Sequence, residues 1–226
     1  MREEYKILLK RVKGEREKHQ MDQSTMGHLL GMGQSLYSRA EGGYKCFDYN
    51  ELCRMCTSGV DVYYIFTGRR SLGRWDDLFA GADFEHLYAC LQMVCTLAIA
   101  DRNMSSFTAE WGQIYYAIQY IEYANYKFGG EQNIFKSVRA YEGKNQLEMT
   151  DIIGVDVKKL RHLEKGKDLP DSRFIHQMYQ AYGISPGLFL QDKQCLKSEL
   201  SCLLDDMGDE TRQRIISLFK TTLRKT

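Results

Sequence analysis

One segment of the chain occurs twice, 123 residues apart, and this repeat limits the folds open to the chain more than any other feature. Residues 16–43 align without a gap on residues 139–166, and six of the 28 aligned positions are identical. We therefore expect two copies of one local structure, one near each end. The identical pairs are Arg16/Arg139, Gln23/Gln146, Met26/Met149, Gly31/Gly154, Glu41/Glu164 and Gly43/Gly166.

The glycine in the middle of each copy predicts a tight turn between two helices. Gly31 and Gly154 each follow an apolar pair, and a glycine at the end of a helix readily adopts the left-handed backbone that ends it. An amphipathic segment begins three residues later, where Asp156 is a good N-cap and Gly33 a tolerable one. A helix, a glycine turn and a second helix at this spacing are typical of a helix-turn-helix.

The helix after each glycine turn has an apolar face and an opposite face of mainly polar side chains. Apolar residues three apart, such as Leu160 and Leu163, are expected to point inward, as are Tyr37 and Ala40 in the first copy. Most polar helix faces are merely solvated, but the glycine turn and its repetition favour a functional interpretation. The outward residues are Gln34, Ser35, Ser38 and Arg39 in the first copy and Val157, Lys158, Arg161 and His162 in the second.

Residues 5–68 and 133–191 resemble the phage-repressor/Cro-like family, also called the xenobiotic-response-element (XRE) type of helix-turn-helix. The resemblance implies an all-α fold: two five-helix repressor-like domains joined by a helical middle segment, with C-terminal helices. The expected limits are 1–70 for the first domain, 71–130 for the connector, 131–194 for the second domain and 195–226 for the C-terminal helices.

The resemblance also implies roles for individual residues. Gln23 and Gln146 open the second helix of their copy, where the family's glutamine contacts phosphate, and Asp22 and Asn145 precede them as N-caps. An ion pair is expected to tie the first helix of each copy to the third. The two pairs are Arg16–Glu41 and Arg139–Glu164.

In such a protein the third helix of each copy lies in the major groove of double-stranded DNA. Gln34 could then pair with adenine, Arg39 with guanine, and Leu36 with a thymine methyl group, while lysines in the following loops would contact the backbone. The residues expected to contact DNA are Gln23, Gln34, Ser35, Leu36, Ser38, Arg39 and Lys45 in the first copy and Gln146, Val157, Lys158, Lys159, Arg161, His162, Lys165 and Lys167 in the second.

Departures from the family pattern leave open whether both copies read DNA. The first copy has Phe47 where the second has Pro170, and it has Gly33 rather than serine at the cap. The second copy has Val157 at the first reading position, where the family often has a polar side chain. Either copy could therefore keep the fold without reading DNA.

Charge and apolar content separate the middle of the chain from its ends. Residues 71–130 hold 3 basic and 7 acidic side chains, whereas residues 1–70 hold 12 and 9, and residues 131–226 hold 16 and 14. An acidic middle is a poor partner for phosphate. We predict helices over 83–103 and 107–128; the aromatic face of the latter suits core packing, with a homodimer interface or a pocket for an unknown effector as alternatives.

The C-terminal residues predict two further helices, one around 194–204 and one over 209–224. Acidic residues begin the second of these and basic residues end it, which suits the helix dipole. These helices are expected to cover the second copy or to form a homodimer.

The seven cysteines are expected to be free thiols in a core. Cys53 and Cys56 form a C-x-x-C, and Cys46 could add a third ligand, but no second pair accompanies them. Packing is the favoured interpretation, so we expect no metal and no cofactor.

The sequence favours a regulator over an enzyme or a membrane protein. The five histidines have no metal-binding spacing, and no phosphate-binding glycine loop is present. No apolar run reaches the roughly 18 residues of a membrane span, and the first residues lack the apolar core of a signal peptide, so we expect a cytoplasmic location. The expected function is sequence-specific DNA binding in transcription. The alternative is a helical protein-interaction module, antitoxin-like or effector-sensing, in which one or both copies are scaffolds.

Overall fold

A computed structural model describes residues 3–100, residue 118 and residues 134–223. Within these ranges every regular element is a helix, so the all-α prediction is confirmed. No helix in the described ranges is long and apolar enough to cross a membrane. The helices are α1 (Glu3–Lys18), α2 (Gln23–Leu30), α3 (Gln34–Glu41), α4 (Tyr49–Thr57), α5 (Val62–Thr67), α6 (Phe84–Ala100), α7 (Ile134–Tyr141), α8 (Gln146–Ile153), α9 (Val157–Glu164), α10 (Ser172–Tyr182), α11 (Pro186–Leu190), α12 (Lys193–Asp206) and α13 (Asp209–Leu223).

The sequence repeat is also a repeat of secondary structure. Helices α1–α5 and α7–α11 follow one another in the same order, and α8 and α9 have the same bounds as α2 and α3 shifted by the repeat offset. We call α1–α5 the first repeat and α7–α11 the second repeat. Side-chain caps begin α2 and α8: Asp22 accepts a hydrogen bond from Thr25 N at 2.7 Å, and Asn145 and Glu148 form a reciprocal capping box. Such a cap contributes about 1 kcal/mol.

The two repeats share one continuous core. Met26 and Tyr37 of the first repeat belong to the same cluster of buried apolar side chains as Met149 and Leu160 of the second, and all four are fully buried. Burying one such side chain contributes roughly 1.5–3 kcal/mol. The repeats are therefore packed against each other and are not linked through the middle of the chain alone.

A polar contact lies inside this shared core, at the first residue of α10. Ser172 Oγ lies 2.7 Å from the Tyr5 hydroxyl and accepts a hydrogen bond from Phe47 N at 3.0 Å. In return, Ser172 N donates to the Phe47 carbonyl oxygen at 2.8 Å. All three residues are buried. We call this contact the Ser172 joint; it fixes the loop after α3 against the start of α10.

A second core joins the middle of the chain to its C-terminal end. Leu91 and Val94 on α6 are buried with Leu200 and Leu203 on α12 and with Phe219 on α13. The C-terminal helices thus pack on α6, a neighbour that the sequence did not indicate. Because α12 begins at Lys193, the expected limit between residues 194 and 195 falls inside its first turn.

The helix predicted over 83–103 is α6, which the structure describes to Ala100; its last three predicted residues lie outside the described ranges. The aromatic helix predicted over 107–128 also lies outside them, except for Ile118, which is buried in the second core. The two C-terminal helices lie within two residues of the predicted bounds as far as they are described.

Candidate nucleic-acid interface

The turn between α2 and α3 depends on a glycine in the left-handed region. Gly31 has φ +75°, and Gly154 at the same point of the second repeat has φ +65°. A Cβ on Gly31 would lie 1.5 Å from Arg54 Nη1, which donates to the Leu30 carbonyl oxygen at 2.6 Å. The guanidinium of Arg54 therefore takes the place of a side chain and satisfies a carbonyl at the end of α2.

A second close approach sets the distance between α2 and α3. A Cβ on Gly27 would lie 3.0 Å from the Met32 carbonyl oxygen and 3.3 Å from Tyr37 Cβ. The second repeat has Thr150 at this point; it is buried and its hydroxyl donates to Leu147 O at 2.7 Å. A small or self-satisfied side chain thus lets the second helix lie close against the third in both repeats.

A buried carboxylate network holds α3 of the first repeat in place. Glu41 accepts hydrogen bonds from Arg16 Nε at 2.8 Å, from Gln23 Nε2 at 2.8 Å and from the Tyr37 hydroxyl at 3.0 Å. The same guanidinium donates to the Met21 carbonyl oxygen at 2.8 Å. Burial raises the pKa of Glu41, but the hydrogen bonds from Arg16, Gln23 and Tyr37 outweigh it, so the pKa is lowered. The network therefore stabilises an ionised carboxylate that ties α1, α2 and α3 together.

The second repeat contains the same network at the same offset. Arg139 Nε donates to Glu164 Oε1 at 2.5 Å, and Arg139 Nη1 donates to the Lys144 carbonyl oxygen at 3.2 Å. Gln146 Nε2 donates to Glu164 Oε2 at 2.7 Å. Leu160 replaces the tyrosine, so one hydrogen bond is lost. Both expected ion pairs are thus present, each with a glutamine bound to the acidic partner.

The two glutamines expected at phosphate are therefore also structural residues. Gln23 and Gln146 each use one amide proton on the carboxylate of the network, and the second proton remains for another acceptor. The sequence motif did not indicate this second role. An amide held by an ionised carboxylate has a fixed orientation, which suits a group that must meet an acceptor in one place.

The outward face of α3 is open. Gln34, Ser35, Ser38 and Arg39 are exposed, and Leu36 is 38% exposed. None of these side chains forms a hydrogen bond or ion pair within the described part of the chain. The apolar side of the helix is closed, since Tyr37 and Ala40 are fully buried. The helix therefore presents five adjacent side chains of mixed hydrogen-bonding character and one positive charge.

The outward face of α9 is more basic. Lys158 and Arg161 are exposed, and Arg161 Nε lies 3.4 Å from Gln146 Oε1. Lys165 and Lys167 follow in the next loop, exposed and without an ion-pair partner among the described residues. Val157 is half-buried at the start of the helix. The second repeat thus offers four cations where α3 offers one.

Three expected contact residues are engaged by neighbouring carboxylates instead. Lys45 Nζ lies 2.6 Å from both oxygens of Glu51, and Lys159 is ion-paired with Asp171. His162 Nδ1 lies 3.1 Å from Asp168 Oδ2. These carboxylates lie in the loop after α3 or α9 or in the first turn of the following helix. They compete with phosphate for Lys45 and Lys159 and engage one ring nitrogen of His162, so these three residues are weaker candidates for DNA contact.

Three lysines on α1 are candidates that sequence reasoning missed. Lys6, Lys10 and Lys13 line a cleft of about 440 Å³ together with Gln23 and Ser38. Lys6 and Lys13 also form exposed ion pairs within α1, which water and salt weaken. Their spacing of four and three residues places them on one side of a helix. This spacing in the sequence could have indicated a basic face on α1, which adds positive charge beside α3.

In comparisons with known proteins, no family model, no curated protein and no solved structure matches this chain. The repeated turn, the repeated carboxylate network and the two outward helix faces are therefore the observations on which a functional proposal rests.

Proposed function

We propose that this chain is a sequence-specific DNA-binding regulator of transcription. In this proposal each repeat is a repressor-like helix-turn-helix domain, and α3 and α9 are the reading helices. The observation that carries it is the outward face of α3, whose five side chains form no hydrogen bond or ion pair within the described ranges. The Glu41 network holds this helix in a fixed position. Side chains held ready for external acceptors on a rigid helix are what direct base readout requires.

The two repeats differ in the basic side chains that they offer to DNA. Lys165 and Lys167 would supply phosphate contacts of the second repeat, Lys158 and Arg161 would reach base edges, and the α1 lysines would add phosphate contacts to the first repeat. Each phosphate contact made by a cation changes the slope of log K against log salt by about −0.9. The overall formal charge of only +1 gives little long-range attraction, so binding would depend on these local clusters.

In this proposal the two repeats read DNA as one unit, because they share a continuous core. Because the Ser172 joint fixes the loop after α3 against the start of α10, the two reading helices would keep a fixed separation. Half-sites for paired helix-turn-helix units lie about 34–36 Å apart along DNA. Since α3 and α9 carry different side chains, the expected site is asymmetric.

One observation favours the alternative of a protein-interaction module. Leu147 and Leu169, which flank the turn and reading helix of the second repeat, are 62% and 59% exposed. Exposed leucines beside a basic helix suit a protein partner better than phosphate. In this version the first repeat reads DNA, and the second is a scaffold that holds a partner.

Selection of bound duplexes from a random pool tests the proposal. The wild-type chain is compared with Gln34→Ala/Arg39→Ala and with Lys158→Ala/Arg161→Ala over a salt series. If both repeats read DNA, each double variant loses preference for a different part of the selected site. Lys165→Ala/Lys167→Ala should keep the selected site but have a salt slope shallower by about 2, because two phosphate contacts are lost.

Two control variants remove the same number of polar and positively charged side chains away from the proposed reading helices. Gln213→Ala/Arg214→Ala and Lys193→Ala/Lys220→Ala remove exposed side chains of α12 and α13 and should leave the selected site unchanged. Loss of preference from one reading pair alone would support the scaffold version. If no sequence is enriched and weak binding is unchanged in every variant, the DNA-reading proposal is wrong.

A further inference from the structure

Three potential metal ligands from distant parts of the sequence meet between α4 and α12. They are the thiols of Cys56 on α4 and Cys195 on α12, and the carboxylate of Asp192 at the start of α12. Their ligand atoms all lie within 4.8 Å of one another. Cys56 is the second cysteine of the C-x-x-C motif. Its neighbours in the cluster come from distant parts of the sequence and not from the motif itself.

The spacing is close to that of a tetrahedral thiolate site. With Zn–S bonds of about 2.3 Å and Zn–O bonds of about 2.0–2.2 Å, adjacent ligand atoms are about 3.5–3.8 Å apart. The three atoms need to approach by no more than about 1 Å to meet this geometry, which rotation of short side chains can supply. Two sulfurs and one oxygen are a donor set that suits Zn²⁺ and disfavours Mg²⁺ or Ca²⁺.

The ligand cluster is buried but can be reached from solvent. Cys56 and Cys195 are 6% and 2% exposed, and all three residues line a cleft of about 290 Å³ that also includes Asp61 and Lys197. The cleft provides a path for an ion and space for a water molecule as fourth ligand. A site with three protein ligands and one open position is a known arrangement for zinc.

Asp192 has a second role that makes the cluster testable. Its Oδ1 accepts a hydrogen bond from Cys195 N at 2.8 Å and so caps α12. Asparagine is an equally good N-cap but a poor ligand for Zn²⁺.

We propose that Cys56, Asp192 and Cys195 bind one divalent metal ion of the zinc class. The two thiols lose their protons as two metal–sulfur bonds form, so each bound ion releases two protons and no electron is transferred. The ion connects α4 of the first repeat to α12, beyond the second repeat. The site does not depend on DNA binding, so either proposal can fail without the other.

Titration of the reduced, metal-free full chain with Co²⁺ under argon tests the site. Tetrahedral Co²⁺ bound by thiolates has charge-transfer absorption in the near ultraviolet and strong visible bands. We expect these bands to saturate at one Co²⁺ per chain, to be displaced by Zn²⁺, and to appear with release of two protons per ion. Cys56→Ala and Cys195→Ala should abolish the charge-transfer bands.

Two further variants keep the outcome interpretable. Asp192→Asn preserves the helix cap and should weaken Co²⁺ binding at least by the roughly 10–100-fold that loss of a supporting ligand contact costs at metal sites. Cys202→Ala removes a buried thiol of α12 outside the cluster and should bind Co²⁺ like the wild type.

Bands that persist in Cys56→Ala and Cys195→Ala, or that vanish equally in Cys202→Ala, would overturn the proposal. So would a reduced wild-type chain that binds no Co²⁺ but forms a Cys56–Cys195 disulfide on oxidation, since the cluster would then be a redox pair.

Discussion

The Ser172 joint allows a direct test of how firmly the two repeats are connected. Ser172→Ala removes the hydroxyl that accepts from Phe47 N at 3.0 Å and lies 2.7 Å from the Tyr5 hydroxyl. A buried donor left without a partner costs about 1–3 kcal/mol. Phe47 is fully buried, so its N–H bears that cost in full. We expect Ser172→Ala to lower the free energy of unfolding by about 2–4 kcal/mol.

Ser201→Ala is the matched control. Ser201 is also 0% exposed, but its hydroxyl has no hydrogen-bond partner among the described residues. Removing it leaves no group unsatisfied and relieves an uncompensated buried hydroxyl, so the free energy of unfolding should change by less than about 0.5 kcal/mol or should rise. Tyr5→Phe removes one contact of the joint alone and should cost about 0.5–1.5 kcal/mol.

Urea unfolding of the full chain, followed by circular dichroism, gives the three values from the midpoints at constant slope. Comparison of the double variant Tyr5→Phe/Ser172→Ala with the two single variants then isolates the coupling between the two side chains. If Ser172→Ala costs no more than Ser201→Ala, the joint does not hold the repeats together, and a fixed separation of the reading helices loses its physical basis.

Three further predictions concern the first repeat and its contact with the second. Gly31→Ala should cost at least about 1–2 kcal/mol in thermal or urea unfolding, because φ is +75° and Arg54 fills the space. Gly33→Ala meets open space at negative φ and loses only a tolerable N-cap, so it should cost less, about 0.5 kcal/mol. Equal costs would contradict the turn geometry. The lowered pKa of Glu41 adds stability that is present above its ordinary value of 4.5 and lost as pH falls through the folded value. Glu41→Gln should therefore flatten the acid side of the curve of unfolding free energy against pH. An unchanged curve would refute an ionised carboxylate. Burial lowers the pKa of His176, which has no hydrogen-bond partner among the described residues. The folded state therefore loses stability as pH falls below 6.5, where the unfolded chain gains a proton that the buried imidazole resists. His176→Leu should remove this part of the pH dependence, as measured by urea unfolding at a series of pH values.

The parts of the fold that the sequence predicted are set by contacts close along the chain. Gly31 ends α2 and Asp156 begins α9 through interactions within one helical turn, and the glycine end recurs at Gly154 in the second copy. The Arg16–Glu41 pair spans only 25 residues, and the sequence indicated it because both partners are identical in the two copies. Such features depend on interactions between residues close in the sequence, and an ungapped repeat shows the same residue pattern twice.

The parts that were missed depend on segments far apart in the chain. Phe47 and Ser172 are 125 residues apart, and nothing near either one indicates the other. Cys195 and Cys56 are likewise far apart in the sequence but lie together in the fold, and Cys46, the expected third ligand, is not part of their cluster. Lys159 was expected at DNA, but it is ion-paired with Asp171, the N-cap of α10.

The separation of the two halves of the Ser172 joint has a consequence for synthesis of the chain. Ribosomes add roughly 5–20 residues per second, so Ser172 emerges about 6–25 seconds after Phe47, far longer than helices need to form. During that interval the first repeat exists with Tyr5 and Phe47 uncovered. It is then an incomplete surface that the second repeat later covers, so nascent chains halted between residues 70 and 170 should bind ribosome-associated chaperones more strongly than chains halted after α11.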